Sequence, residues 1–293
     1  MVTATAISHS SDTYAPTKGV GRRLLASPAG LVGSVLVAFV ILAALLAPVI
    51  SPYHYADTNF TYPFQVPFTE GFWLGTDDLG RDVLSRLLYG TRASLLVGLL
   101  AVALAVVVGT PLGLLAGYWR KADMVISRFV DVTLAFPFLV LAVGLAAISG
   151  ASLTNAAIAL GVGNIPSMVR VVRGETMRLK GEAFVSAAIA SDASLVRILG
   201  MHILPNTLSA IIVQVTVILP AAVIGESMLS FLGLGIQPPA PSLGIMLSDA
   251  QQYIYRSPTV AIAAGLTIVL ICFAFNLFGD ALRDALDPNS SKE

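Results

Sequence analysis

Glu226 is the only acidic residue between Arg197 and Asp249, and it follows 28 residues without a charge. A carboxylate in such surroundings is costly unless it faces a cavity or a partner group. It is therefore the first candidate for lining a pathway. A hydrated position at the membrane edge and a pairing with another chain are the alternatives. Gln214 and Asn276 are further candidates, although polar residues in apolar helices more often bond to neighbouring helices. Asp77, Asp78 and Asp82 cluster, but their spacing does not fit an EF-hand calcium loop, so no metal site is expected. The histidines stand apart at 9, 54 and 202, and neither H-E-x-x-H nor G-x-x-x-x-G-K-[ST] occurs. The residues thus point to neither a metallohydrolase nor a nucleotide site, and no cofactor is expected in this chain. Cys272 has no partner for an internal disulfide.

What must position these residues is a set of membrane helices. Of 293 residues, 56% are hydrophobic and 12% charged, about half the charged share of a soluble chain. Mean hydropathy is +0.83. A net charge of zero gives no support for nucleic acid as a partner. Residues 1–29 read as a polar, disordered tail ending in Arg22 and Arg23. Residues 31–50 carry no charge and would span about 30 Å as a helix. That exceeds the apolar region of a signal peptide, so the helix is retained and the arginine pair anchors it. The next uncharged stretch is 93–119. Residues 132–169 make a helix of about 57 Å, too long for one crossing. "SGASLTN" at 149–155 offers a turn, which divides the stretch into spans at 130–148 and 155–172. A fifth span starts near 207 and runs through 226, and a sixth covers 259–279. The fold class is an all-α integral membrane protein of six transmembrane helices.

The charges set its orientation. With both termini cytoplasmic, the inner segments hold 13 Lys and Arg residues, from Lys18 to Lys292, and the outer segments hold 4: Arg81, Arg86, Arg92 and Arg256. That bias is the positive-inside pattern. The expected organisation is a cytoplasmic tail 1–29, a first helix 30–50, an extracytoplasmic loop 51–92, a five-helix core 93–280 and a cytoplasmic tail 281–293. The outer loop is rich in Tyr, Phe and Trp, which suit the membrane–water interface. In it, Thr76 or Asp77 can cap a short helix, and Asp82 and Arg86 are spaced for an i,i+4 pair. Pro111, Pro137, Pro166 and Pro220 fall in or beside spans and are expected to kink them. Gly109, Gly113 and Gly117 share one face and predict close helix packing.

Segment 182–206, "EAFVSAAIASDASLVRILGMHILPN", lies between two spans on the basic side. It reads as two short helices. Phe184, Val185, Ala188 and Ile189 form one apolar stripe; Leu195, Ile198 and Leu199 form another. Asp192 interrupts and is a candidate N-cap for a second helix over 193–202, which Pro205 ends. An interfacial linker and a docking site for another protein both fit this pattern.

Several stretches carry a family resemblance: "LGTDDLGRDVLSRLLYGTRASLLVGLL", "PLGLLAGY", "DVTLAFPFLVLA", "VRVVRGETMRLK", "FVSAAIASDASLVRILGMHILPN", "SFLGLGIQPPAPSLGIML" and "AFNLFGDALRDALDP". In this order the chain resembles the "C"-type permease subunits of bacterial ABC importers of the dipeptide, oligopeptide and nickel group, with the binding-protein-dependent (MetI-like) fold. The match covers roughly three quarters of the chain, 74–288. The resemblance implies that 173–206 contains the coupling loop that docks on an ATP-hydrolysing subunit. Phe184, Ser186, Ala187, Ala188, Asp192 and Ala193 then fall in its first half and turn. Leu195, Arg197 and Pro205 fall in its second half. Ser186 stands where the family has glutamate, and Asp192 where it has glycine; Asp tolerates the left-handed conformation better than most residues.

The resemblance further implies one or two ATP-binding subunits that carry ATP and Mg, a second homologous permease and an extracytoplasmic solute-binding protein. The solute implied is a short peptide, with nickel or another small solute as the alternative. A peptide's amino group would suit Glu226. "SFLGLGIQPP" is expected to shape a gate near the outer face. A secondary transporter would need more intramembrane carboxylates or broken helices in two halves, and no internal repeat is visible. An intramembrane hydrolase would need a site that the scattered histidines do not supply.

Overall fold

The computed structural model describes residues 20–286. The outermost parts of both expected tails, with Lys18 and Lys292 of the charge count, lie outside the described residues. Within them the chain is helical, joined by turns and two isolated bridges. The helices are α1 (Val20–Ala26), α2 (Pro28–Ile50), α3 (Val83–Tyr118), α4 (Arg120–Ala135), α5 (Phe138–Ser149), α6 (Leu153–Leu179), α7 (Ala183–Ala190), α8 (Leu195–Arg197), α9 (Leu204–Phe231), α10 (Leu243–Gln251) and α11 (Thr259–Leu286). Five are long and apolar enough to cross a membrane: α2, α3, α6, the continuous run from α8 into α9, and α11. The pair α4–α5 makes a sixth if it is one span.

Local chemistry explains most boundaries. Ser27 accepts a hydrogen bond from Gly30 N at 3.0 Å and Pro28 follows it, so α2 starts where the sequence allows. Ser152 starts α6 and Ser242 starts α10 in the same way. Pro48, Pro111, Pro166 and Pro220 are accommodated inside continuous helices. Pro137 is the exception: α4 and α5 meet there at 91°. The kink expected at Pro137 is therefore a full break within the expected span 130–148, because Phe136, before a proline, leaves the α region and Pro137 supplies no N–H.

Two other expectations change. Residues 20–26 are helical, not a disordered tail, since Leu24 packs on Ala281 and Ala285 of α11. The short helix expected near Thr76 is absent. Asp82 instead caps α3, accepting from Ser85 N at 2.7 Å, and the helix runs on into the span. Arg86 does not pair with Asp82. It lies 3.5 Å from Asp77 and 3.4 Å from Asp249 of α10.

The centre of the bundle is the contact of α3 with α6. A Cβ at Gly113 would stand 2.6 Å from the Val172 Cβ, and one at Gly109 2.8 Å from the Met168 Cβ. The glycine row lets the two backbones approach, and the apolar core forms around that seam. Helix α2 packs on the outside, against α11, with Gly33 against the Phe278 backbone. Segment 51–82 folds over the α3–α10 end. Phe64 is held between Tyr253, at 5.0 Å, and Arg256, at 4.4 Å. Phe60, Phe68 and Trp73 remain exposed.

Candidate coupling and pathway sites

Segment 182–206 is a bent hairpin with one face inward. Val185 and Ala188 of α7 pack with Ile198, Leu199 and Ile203 against Leu114 of α3 and Met168, Val172 and Leu179 of α6. The α3–α6 core thus continues into the hairpin. Phe184, Ile189 and Leu195 are exposed, and Val196 is 81% exposed. Ser186, Ala187, Asp192 and Arg197 also face outward. Ala188 is buried and Ala193 half-buried, so these two of the expected docking residues support the hairpin from inside.

The turn falls at Asp192, whose φ is +54°. It is therefore the left-handed residue and not an N-cap; Ser194, in extended conformation, precedes the next helix. That helix does not stop at Pro205. It widens into a π-helical stretch over Ile198–Ile203 and continues as α9, 37 residues from Leu195 to Phe231. In a straight α-helix the Pro205 ring would meet the Met201 carbonyl, and the wider turn relieves that clash. Asn206 Nδ2 donates to the His202 carbonyl at 2.7 Å across the same stretch.

Sequence reasoning missed the brace beside the hairpin. Arg173 of α6 forms a bidentate pair with Asp123 of α4, at 2.5 and 2.9 Å. Lys180 Nζ donates to the Tyr118 carbonyl at 2.6 Å and lies over its ring. The available signal was Asp123, an acid within the basic patch "RKADMVISR".

Glu226 is fully buried inside the chain's own packing. Ser94 Oγ of α3 donates to its Oε2 at 2.5 Å, and Ser230 Oγ donates to Oε1 at 2.6 Å. Each hydroxyl also accepts a backbone N–H: Ser230 from Ile236 at 3.2 Å, Ser94 from Leu243 at 3.5 Å. The carboxylate therefore ties α3 and α9 to loop 232–242 and to the start of α10. Gln214 is half-buried, and its Nε2 donates to Ser167 Oγ of α6 at 2.8 Å. It lies about 18 Å along α9 from Glu226. Asn276 is exposed on α11.

At the opposite end to the hairpin, Asp77 joins segment 51–82 to α3 and α10. It accepts from Arg81 Nε at 2.7 Å, while Asp249 lies 3.7 Å from Arg81. Burial pushes the Asp249 carboxyl above the usual carboxylate range, against the pull of Arg86 and Arg81. Among the described residues no group of three or more His, Cys, Asp or Glu is arranged to hold a metal ion.

The family described as binding-protein-dependent transport system inner membrane component matches residues 109–292. The chain belongs to this family. The N-terminal transmembrane domain of oligopeptide transport permease C matches residues 15–67. The dipeptide transport system permease protein DppC of Alkalihalophilus pseudofirmus is 44% identical over 93% of this chain and 90% of its own. The glutathione transport system permease protein GsiD of Pectobacterium atrosepticum is 41% identical over 93% of this chain and 91% of its own. Among solved structures, a chain of the inward-facing MetNI methionine ABC transporter aligns with a TM-score of 0.58 at 22% identity, over 69% of this chain and 96% of that one. The last likeness supports the fold alone. As a family member, the chain is a multi-pass, non-catalytic permease subunit of an ABC importer. Membership implies an ATPase partner and a solute-binding protein in general terms.

Proposed function

We propose that the chain is one of two homologous permeases forming the pathway of an importer for short peptides. It works with one or two ATPase subunits that bind ATP and Mg, and with an extracytoplasmic binding protein that delivers the peptide. It sits in the bacterial inner membrane with both termini cytoplasmic. The observation that carries the solute class is the 44% identity to a dipeptide permease across nearly the whole of both chains. The glutathione relative, also named for a short peptide, agrees with that class.

The coupling role rests on the hairpin. Phe184, Ser186, Ala187, Asp192, Leu195 and Arg197 present a mixed apolar and polar face for an ATPase groove. Ala188, Ala193 and the π-helical stretch before Pro205 carry its displacement into α9. ATPase closure would then shift the permease pair between inward- and outward-open states. Glu226, Gln214 and Asn276 belong to the pathway wall in this reading. Glu226 acts there by holding Ser94 and Ser230, not by touching solute.

Affinity purification in mild detergent, followed by mass spectrometry, tests the assembly. The expected companions are a second permease and ATPase subunits. Uptake of labelled di- and tripeptides into ATP-loaded proteoliposomes, with the binding protein added, tests the solute. Peptide uptake that survives collapse of the ion gradient supports the proposal. Nickel uptake without peptide uptake would refute the solute class, and transport by the chain alone on an ion gradient would refute the coupling.

A further inference from the structure

Four arginines lie at the end of the bundle that carries segment 51–82. Arg81 and Arg86 pair with Asp77 and Asp249, and Arg256 lies over the Phe64 ring. Arg92 is different: it is exposed and has no ion pair or side-chain hydrogen bond among the described residues. It stands at the mouth of a groove of about 370 Å³ between α2, α3, α9 and α11. Leu96 and Leu99 follow it at i+4 and i+7, on the same face of α3. Ala44 and Leu45 of α2 form the opposite wall, and Leu219 of α9 lies at the floor. Apart from Arg92, every side chain lining the groove is apolar.

The levels match one leaflet. Tyr89, nearly one turn before Arg92, packs on Tyr55 with ring centroids 4.8 Å apart. Tyrosines collect at headgroup level. From Arg92 to Leu99 is about 10 Å along the helix, within half of a hydrocarbon core about 30 Å thick. The cavity has about twelve times the volume of a water molecule in the liquid, which suits part of one acyl chain. A free phosphate would satisfy Arg92 and leave the groove uncovered, whereas an apolar segment would fill the groove and leave the guanidinium unpaired.

We propose that this groove holds a phospholipid, with its phosphodiester against Arg92 and one acyl chain along Leu96 and Leu99. The lipid covers the seam between α2 and the core, and so belongs to the permease as a fixed component distinct from bulk bilayer.

The test is native mass spectrometry of the purified full-length chain with the subunits it retains. The complex is exchanged from nanodiscs of phosphatidylglycerol and phosphatidylethanolamine into detergent. Wild type is expected to keep one phospholipid per chain. Arg92→Gln should lower retention of phosphatidylglycerol about five-fold, the worth of one basic group near anionic lipid. Ala44→Phe should abolish retention by filling the groove. If that variant loses its subunits, Leu96→Trp narrows the groove from its exposed wall, and the same loss is expected. Equal retention in wild type and variants would overturn the proposal. So would a disulfide between Leu96→Cys and a cysteine placed in a second permease, since protein would then cover the groove.

Discussion

Replacing Ser94 by alanine removes two bonds from the cluster around Glu226. Ser94 Oγ lies 2.5 Å from Glu226 Oε2, both side chains are fully buried, and no cation of the described residues pairs with the acid. Leaving a buried polar group without its hydrogen-bond partner costs about 1–3 kcal/mol. Ser94→Ala should therefore destabilise the permease by about that amount. The carboxylate loses a donor, and the Leu243 N–H, 3.5 Å away, loses its acceptor. Replacing Glu226 itself has no fixed sign, because removing a buried polar group also relieves its desolvation cost. A double-mutant cycle avoids that ambiguity. Ser94→Ala is measured in wild type and in a Glu226→Ala background, by equilibrium unfolding in mixed micelles. The expected coupling is about 1–3 kcal/mol, and backbone exchange at Leu243 and Ile236 should rise in each single variant. A coupling below about 0.5 kcal/mol, with unchanged exchange at both amides, would refute the claim that the carboxylate ties the loop to α3.

Three further outcomes are expected. Gly113→Ala places a Cβ 2.6 Å from that of Val172 and should cost about 1–3 kcal/mol through overpacking; Val172→Ala should restore part of the loss in the same unfolding assay. Asp192→Gly removes a left-handed strain of about 1–2 kcal/mol and should leave transport intact, whereas Asp192→Val should lower peptide uptake per ATP hydrolysed; equal coupling in both variants would contradict the turn assignment. Asp249 has a raised carboxyl pKa, so its contribution is complete below the unfolded value and is lost as pH rises through the folded one; Asp249→Asn should remove that part of the pH dependence, read as unfolding free energy against pH.

The sequence by itself determined the class of this protein. Uncharged runs of about twenty residues have few ways to exist in water, and their backbones must bond internally in lipid, so membrane helices follow from composition. The glycine row at 109, 113 and 117 announced a close contact, because spacing of four residues puts small side chains on one face. The two stripes of segment 182–206 were legible in part: Val185, Ala188, Ile198 and Leu199 face the core, whereas Phe184, Ile189 and Leu195 are exposed. Tertiary structure decided the rest. Only the fold shows that Ala188 and Ala193 face inward while Ser186 and Asp192 face out, since burial depends on what α3 and α6 present. The passage of Pro205 through a π-helical stretch depends on hydrogen bonds that no residue pattern specifies. Above all, Glu226 stood out as an isolated acid, yet its partners Ser94 and Ser230 are ordinary serines, one of them 132 residues away. A charge marks where polar chemistry must occur, but which distant groups satisfy it is fixed only when the helices pack.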